Sequence, residues 1–186
     1  MDNVYLNPAC RQTRPRTAVF ADRDGTLIRH VDYIDVPAKV ALLPGVKASV
    51  HRLVAANIPF FILTNQSGVG RGYFPIERVN ACQLEPEQIA GWCIAPEAPD
   101  VAGGYRKPSP RFIQEASTHL GVEADACHMI GDTLVDLETA WSAGAHAWAV
   151  ACGKPELPEQ IAAGLISETH TLKDNFPACV DALLSA

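Results

Sequence analysis

The stretch TAVFADRDGT, residues 17–26, decides the fold class of this chain. Its compact apolar run is typical of a buried strand, and two acids, Asp22 and Asp24, follow that run directly. Gly25 allows the backbone to turn, so both carboxylates can reach the same space. A buried strand has no structural need for acids at its end, so the pair predicts a functional site. A calcium loop is disfavoured because it needs glutamate at position 12, where Tyr33 stands here.

Outward from this segment, apolar runs alternate with stretches whose apolar residues recur at helical spacing. The alternation predicts an α/β fold, with one Rossmann-like parallel sheet and helices on both faces. At this length, residues 1–186 are expected to form a single domain, with 1–16 as an N-terminal extension. The predicted strands cover 17–21, 59–64, 89–95, 128–130 and 147–151, and the predicted helices cover 46–56, 76–84, 110–121, 134–143, 158–164 and 177–184.

Three more polar clusters follow predicted strands, at the edge of a parallel sheet where ligands bind. The second strand ends in TNQSGVGRG, residues 64–72, whose hydroxyl, amide and backbone N–H groups suit an anion such as phosphate. Lys107 follows the third strand, where a fixed cation would neutralise a transferring phosphoryl group; a surface helix cap is the alternative. Asp132 and Asp136 follow the fourth strand one helical turn apart, and Asp132 is also suited to cap that helix.

Together the four clusters resemble the motifs of the haloacid dehalogenase superfamily of phosphatases, which are D-x-D-G-T, a strand-end Thr, a Lys and G-D-x-x-x-D. The likeness covers roughly residues 17–154. Within the superfamily, residues 18–27, 64–72, 106–108 and 153–155 are similar to the D-glycero-D-manno-heptose 1,7-bisphosphate 7-phosphatases and the related histidinol-phosphatases. The resemblance implies a Mg²⁺-dependent phosphomonoester hydrolase whose substrate is a small sugar phosphate, with heptose bisphosphate as the best match.

The same resemblance implies a role for each matching residue. Asp22 would be the nucleophile that forms an aspartyl-phosphate, and Asp24 would be the general acid and base. Asp22, the backbone carbonyl of Asp24 and Asp132 would hold Mg²⁺, with Asp136 supporting the metal shell or Lys107. The remaining implied roles are charge neutralisation by Lys107 and phosphate or substrate binding by Thr64, Asn65, Arg71 and Arg106.

Two features depart from that subfamily. Only Cys93 remains of its structural zinc loop, which reads C-x-H followed by C-x-C before R-K-P. One thiolate cannot make a four-ligand zinc site, so a structural zinc is not expected in the shortened 96–105 loop. The other three zinc-ligand positions hold Ala95, Gly103 and Tyr105.

The second departure is Thr133, which stands where those enzymes usually have Lys after G-D. This difference affects the expected identity of the substrate more than the expected chemistry.

Residues 29–43 occupy the position at which this superfamily places a small flap after the first strand. Tyr33 and Ile34 either close over the substrate or pack the loop. Neither gap between the motifs is long enough for an independent fold, so no large cap domain is expected.

Charge and cysteine content narrow the possible partners. With 15 Lys and Arg against 21 Asp and Glu, the formal net charge is −6, which disfavours nucleic acid and acidic membranes. Neither a secretory signal nor a membrane-spanning run is visible, so a cytoplasmic location is expected. The six cysteines have no C-x-x-C spacing and the six histidines no ligand spacing, so no redox motif or zinc knuckle is predicted.

Three other functions stay open. Hydrolysis of histidinol phosphate would use the same chemistry. Nucleic-acid 3′-phosphatases of this superfamily are similar around residues 64–66 and 71–72, but they need a basic groove, and the basic residues here are scattered. A noncatalytic scaffold is disfavoured by the intact acids and Lys107. The sequence does not predict the oligomeric state.

Overall fold

The computed structural model of the chain describes residues 3–13, 15–80, 89–98, 101, 103–166 and 170–185. Its strands are β1 (Val4–Leu6), β2 (Ala18–Ala21), β3 (Phe60–Asn65), β4 (Gly91–Ala95), β5 (Cys127–Gly131), β6 (His146–Val150) and β7 (Thr171–Lys173). They form one seven-stranded sheet in the order β1-β4-β3-β2-β5-β6-β7. All neighbours run parallel except β1 and β4, so the predicted α/β class is confirmed.

All but the last of the described helices lie in the connections between the parallel strands, and the last one follows β7. The helix predicted at 134–143 is found with the same bounds, whereas the last residues of the helix predicted at 76–84 lie outside the described residues, as does Cys82. Within the described ranges, no helix is both long and apolar enough to cross a membrane. The helices are α1 (Val46–Ala55), α2 (Ser67–Gly70), α3 (Ile76–Asn80), α4 (Arg111–Leu120), α5 (Leu134–Ala143), α6 (Glu156–Ala162) and α7 (Phe176–Leu184).

The central strands are buried on both faces, which explains why they read as nearly continuous apolar runs. Successive side chains point to opposite faces of a strand. Phe20 in β2 therefore joins the core that packs under α4, α5 and α6, where it meets Phe112 edge-on at 6.0 Å between ring centroids. Its neighbour Val19 joins the core on the other face, with Val50 of α1 and Val180 of α7. Helices therefore cover both faces, as predicted.

Both edge strands escaped sequence prediction because each is only three residues long. Alternation cannot be recognised over so few residues, and pairing with a neighbour decides their conformation. β1 lies within the segment predicted to be an N-terminal extension, where Leu6 is in register with Gly91 of β4. The extension thus adds an antiparallel edge to the sheet. The single-domain boundaries themselves stay a prediction.

A pair of histidines lies at the amino ends of β5 and β6, away from the strand ends that carry the acids. The rings of His128 and His146 stack with centroids 4.9 Å apart. Trp148 Nε1 donates a hydrogen bond of 3.1 Å to His128 Nδ1. Burial and then the neighbouring His146 lower the pKa of His128 to about 4. The folded protein therefore keeps this imidazole neutral.

This arrangement predicts a loss of stability in mild acid. The ordinary pKa of 6.5 for His128 exceeds its folded value of about 4, so between these limits the unfolded chain binds more protons. The stability that comes from keeping His128 neutral is therefore fully present above this pH range and is lost as the pH falls through it. The variant His128→Asn keeps a hydrogen-bond acceptor for Trp148 but has no imidazole to protonate. When the pH falls from about 7.5 to about 5, we expect the free energy of unfolding to drop by roughly 1–2 kcal/mol more in wild type than in this variant. Urea denaturation at both values measures this difference, and equal losses in the two proteins would contradict it.

Candidate active site

The carboxyl ends of the central strands bring most of the predicted site residues into one cavity of about 410 Å³. β4, β3, β2 and β5 lie side by side and parallel, so the residues that follow them emerge at the same edge of the sheet. The predicted residues that line the cavity are Asp22, Asp24, Thr64, Asn65, Arg106, Lys107 and Asp132. Chain segments far apart in sequence therefore meet at one place.

Lys107 is buried at the centre of this cluster, which rules out the alternative of a surface helix cap. Its Nζ donates hydrogen bonds of 2.5 Å to Asp22 Oδ1 and of 2.5 Å to Asp136 Oδ1. Burial alone would lower the pKa of Lys107, but the carboxylates of Asp136 and Asp22 outweigh it and raise that pKa above its ordinary value. The side chain is thus a fixed positive charge beside Asp22.

Asp22 follows β2, and its backbone N–H donates a 2.9 Å hydrogen bond to the carbonyl of Ile130 in β5. Burial raises the pKa of Asp22 well above its ordinary value, Lys107 opposes this rise, and the nearby Asp136 and Asp132 add to it. Negative charge is therefore concentrated around Asp22 beyond what one lysine neutralises. A site of this kind favours the arrival of a further positive charge.

Asp132 follows β5 and is 1% exposed. Its Oδ2 accepts a 3.1 Å hydrogen bond from the backbone N–H of Lys154, whereas its Oδ1 has no hydrogen-bond partner among the described residues. Two glycines make room for this carboxylate, because a Cβ on Gly25 or on Gly153 would overlap it. Gly25 also has a φ of 95°, which favours glycine. Burial and then Asp136 raise the pKa of Asp132 to about 6.

Asp136 uses both of its carboxylate oxygens within the protein. Oδ1 accepts a hydrogen bond from Lys107. Oδ2 accepts two hydrogen bonds from Thr133, one of 3.1 Å from its backbone N–H and one of 2.6 Å from its Oγ1 hydroxyl. These contacts belong to a capping box in which Thr133 is the N-cap of α5. The alternative that Asp132 caps this helix is therefore wrong, because Thr133 already occupies the position and leaves Asp132 to face the cavity.

The acids fit a divalent cation. Asp22, Asp132 and Asp136 each offer an oxygen, and these oxygens lie within 4.8 Å of one another. Carboxylate oxygens are the ligands that Mg²⁺ takes. Because both oxygens of Asp136 already accept hydrogen bonds, Asp22 and Asp132 are the better candidate ligands. Oδ1 of Asp132 accepts no hydrogen bond from the described residues, so it is available for a cation contact.

Thr64 and Asn65, which end β3, contact protein groups in this structure. Thr64 Oγ1 donates to Asp24 Oδ2 at 3.2 Å. Asn65 makes two bonds with the backbone of Lys107, donating from Nδ2 to its carbonyl at 3.2 Å and accepting at Oδ1 from its N–H at 2.9 Å. Asn65 therefore fixes the segment that carries the buried lysine. The contacts of Thr64 and Asn65 with phosphate remain predictions.

The two predicted substrate-binding arginines lie in different places. Arg106 lines the cavity, while its Nη1 donates to the backbone carbonyl of Glu97 at 3.0 Å. Arg71 is exposed, does not line the cavity and donates from Nη1 to Tyr33 Oη at 3.0 Å. A substrate contact for either arginine stays a prediction.

Of the two flap residues, Ile34 is buried in the core, whereas Tyr33 is exposed and lines a smaller adjoining cavity of about 240 Å³.

The sequence pattern predicts no role for four residues at or beside this site. Arg23 and Gln66 are buried, and both donate to the carboxylate of Asp24. Both belong to motifs that were recognised, but nothing in a pattern of residue types shows that an arginine between two acids turns inward. His30 and Lys154 also line the cavity without having been predicted to do so.

Of the four positions at which the resemblance places zinc ligands, only that of Cys93 holds a zinc-ligating residue type, so these four do not make a four-ligand site. Burial raises the pKa of the Cys93 thiol well above its ordinary value. Ala95 and Gly103 carry no ligand atom. Glu97 Oε1 instead accepts from the backbone N–H of Tyr105 at 3.2 Å, which ties the end of the loop back to its beginning.

A side-chain network secures the same loop against α4. Tyr105 Oη donates to Glu115 Oε2 at 2.8 Å, and Arg111 Nε donates to Glu115 Oε1 at 2.8 Å. The Arg111 guanidinium also lies 4.4 Å from the centre of the Tyr105 ring, a cation–π contact. Tyr105, which stands where the resemblance places a zinc ligand, thus anchors the loop by hydrogen bonding, two positions before Lys107.

Comparison with known proteins agrees with this fold. Residues 104–174 match the family model described as HAD-hydrolase-like. The D-glycero-β-D-manno-heptose-1,7-bisphosphate 7-phosphatase of Mesorhizobium japonicum is 30% identical over 155 residues, which are 72% of this chain and 69% of that protein. The enzyme of the same name from Pseudomonas putida is 31% identical over 144 residues, or 73% of this chain and 82% of that protein.

A solved structure shows the same likeness in three dimensions. The crystal structure of D,D-heptose 1,7-bisphosphate phosphatase from B. bronchiseptica, complexed with magnesium and phosphate, superposes with a TM-score of 0.80 at 26% identity. The match covers 91% of this chain and 98% of that one. Sheet order, strand-end acids and buried lysine thus define a hydrolase of the haloacid dehalogenase class. Within that class, the chain belongs to the family of the heptose bisphosphate phosphatases, and it is a phosphatase.

The buried ion pairs make a prediction about stability. Replacing Lys107 by Met would leave the buried Asp22 and Asp136 without their cation, so we expect Lys107→Met to lower the free energy of unfolding near neutral pH by about 3–5 kcal/mol. Lys154→Met is the matched control, because Lys154 lines the same cavity but is exposed; its effect should stay within about 0.5 kcal/mol. Urea denaturation of both variants without added metal measures the difference, and equal effects would refute it.

Proposed function

We propose that this phosphatase hydrolyses phosphomonoesters with the help of Mg²⁺ and through an aspartyl-phosphate formed on Asp22. The observation that carries the proposal is the position of Asp22, which accepts a hydrogen bond from the amine of Lys107 and has an oxygen within 4.8 Å of one of Asp132, a carboxylate with one oxygen that lacks a hydrogen-bond partner among the described residues. The best candidate substrate is a small sugar phosphate, D-glycero-D-manno-heptose 1,7-bisphosphate, because the relatives compared above are 7-phosphatases of that compound.

Asp22, Asp132 and the backbone carbonyl of Asp24 would hold Mg²⁺. When bound, the cation would supply positive charge that offsets the repulsion between a carboxylate and a phosphate dianion. The donor set supports this assignment, since oxygen ligands are available and the positive charge of Lys107 alone leaves the acids unbalanced. The magnesium and phosphate in the B. bronchiseptica relative give further support.

Each residue of the site would then have its own role in the reaction. The Asp22 carboxylate attacks phosphorus while Lys107 neutralises charge on both groups, with Thr64 and Asn65 binding phosphoryl oxygens. Asp24 gives a proton to the leaving alkoxide and later takes one from the water that hydrolyses the aspartyl-phosphate. Asp136 keeps Lys107 in position. The rest of the substrate would be bound by Arg106 at the cavity wall and by Arg71 beside the flap.

Two substitutions test this division of roles. Asp22→Asn should abolish turnover, because an amide cannot form the acyl-phosphate. Asp24→Asn should keep the shape of the site but lose about 10²–10⁴-fold in kcat, which is the usual worth of general acid–base catalysis. Phosphate release under saturating substrate measures both. Wild-type activity in Asp22→Asn would eliminate the covalent mechanism.

A phosphate-release screen decides the substrate and the need for metal. The panel contains heptose bisphosphate, hexose phosphates, histidinol phosphate and a 3′-phosphorylated oligonucleotide, each assayed with Mg²⁺ and with EDTA. We expect the highest kcat/KM for heptose bisphosphate and loss of activity in EDTA that added Mg²⁺ restores. Preference for histidinol phosphate or the oligonucleotide would replace the proposed substrate, and no release from any compound would favour a noncatalytic scaffold. A cytoplasmic location stays a prediction.

A further inference from the structure

Arg23 is a charged side chain that is only 1% exposed, between the two acids of the first motif. It does not line the catalytic cavity. Its guanidinium donates from Nε to Asp24 Oδ2 at 3.0 Å and from Nη2 to Asp24 Oδ1 at 3.2 Å. The contact is bidentate, which is the geometry that fixes the plane of a carboxylate. The described residues offer no hydrogen-bond partner to its third nitrogen, Nη1.

Gln66, which directly follows β3, holds the same carboxylate. Its Nε2 donates to Asp24 Oδ2 at 2.8 Å and to Thr64 Oγ1 at 2.8 Å. Its own backbone N–H donates to the carbonyl of Ala95 at 2.7 Å, which anchors Gln66 to the end of β4. Arg23 and Gln66 therefore approach Asp24 from different segments, and both are buried.

The two oxygens of Asp24 are consequently in different environments. Oδ2 accepts from Arg23 Nε, Gln66 Nε2 and Thr64 Oγ1, so its hydrogen-bonding capacity is used. Oδ1 accepts one hydrogen bond from the described residues, from Arg23 Nη2. Asp24 itself lines the cavity. Of the two oxygens, Oδ1 retains the capacity to exchange a proton.

We propose that Arg23 and Gln66 are positioning residues that hold the Asp24 carboxylate so that Oδ1 is the atom that gives and takes the proton. The proposal rests on the proposed role of Asp24 as general acid and base. As the bond from Asp22 to phosphorus forms, the bond to the leaving oxygen breaks, its electron pair stays on that oxygen, and the proton on Oδ1 moves to it. Attack by water on the aspartyl-phosphate returns a proton to Oδ1 and frees Asp22.

Proton donation matters most when the leaving group is a poor one, and this supplies the test. Single-turnover rates of phenol release, with Mg²⁺ present, would be measured for p-nitrophenyl phosphate and phenyl phosphate. The proteins are wild type, Arg23→Met, Gln66→Leu, Asp24→Asn and the control Arg16→Met, which alters an exposed arginine at the opposite end of β2. The readout is the ratio of the p-nitrophenyl to the phenyl rate. A purely structural role would lower both rates equally and leave this ratio unchanged.

We expect Asp24→Asn to raise the ratio most, Arg23→Met and Gln66→Leu to raise it about tenfold, and Arg16→Met to match wild type. Gln66→Leu keeps the test decisive if Arg23→Met does not fold. If Asp24→Asn raises the ratio but the folded Arg23→Met and Gln66→Leu variants keep the wild-type ratio, the positioning role is overturned and the acid–base role of Asp24 is not. An unchanged ratio in Asp24→Asn would instead overturn the acid–base role of Asp24, and the positioning role with it.

Discussion

The amine of Lys107 lies 2.5 Å from a carboxylate oxygen of Asp22 and 2.5 Å from one of Asp136, and the geometry of the site depends on this double contact. Each partner comes from a different segment: the end of β2, the loop before α4 and the first turn of α5. A buried amine needs nearby negative charge, and buried carboxylates need a cation, so none of the three is stable there alone. The pairing thus fixes the relative positions of the strand ends as well as the local charge.

Four aspartates within one cluster have different surroundings, and these surroundings separate their roles. Asp136 is saturated by Lys107 and Thr133, so it orients other groups. Asp24 is held through one oxygen much more than through the other. Asp132 keeps an oxygen without a hydrogen-bond partner in the described part of the chain, and Asp22 lies next to the fixed charge of Lys107. Four identical functional groups therefore have four different surroundings, and these differences support the separate roles proposed for them as cation ligand, nucleophile, proton carrier and support.

Hydrogen bonds and ring contacts of its own side chains hold the loop before Lys107. Glu97 accepts the Tyr105 N–H and, through its backbone carbonyl, the side chain of Arg106. Tyr105 is in turn bound by Glu115 and covered by Arg111. Hydrogen bonds and a cation–π contact thus tie the loop to α4, which keeps Lys107 within reach of Asp22.

The sequence by itself determined the α/β class, the carboxyl edge of the sheet as the site, and most of the residues that meet there. This was possible because buried parallel strands are apolar runs, so acids directly after them stand out. It did not reveal β1 or β7, the capping role of Thr133, the inward turn of Arg23 and Gln66, or the separation of Arg71 from the cavity. Those features were decided by the tertiary structure, because each depends on contacts with chain segments whose proximity no local pattern records.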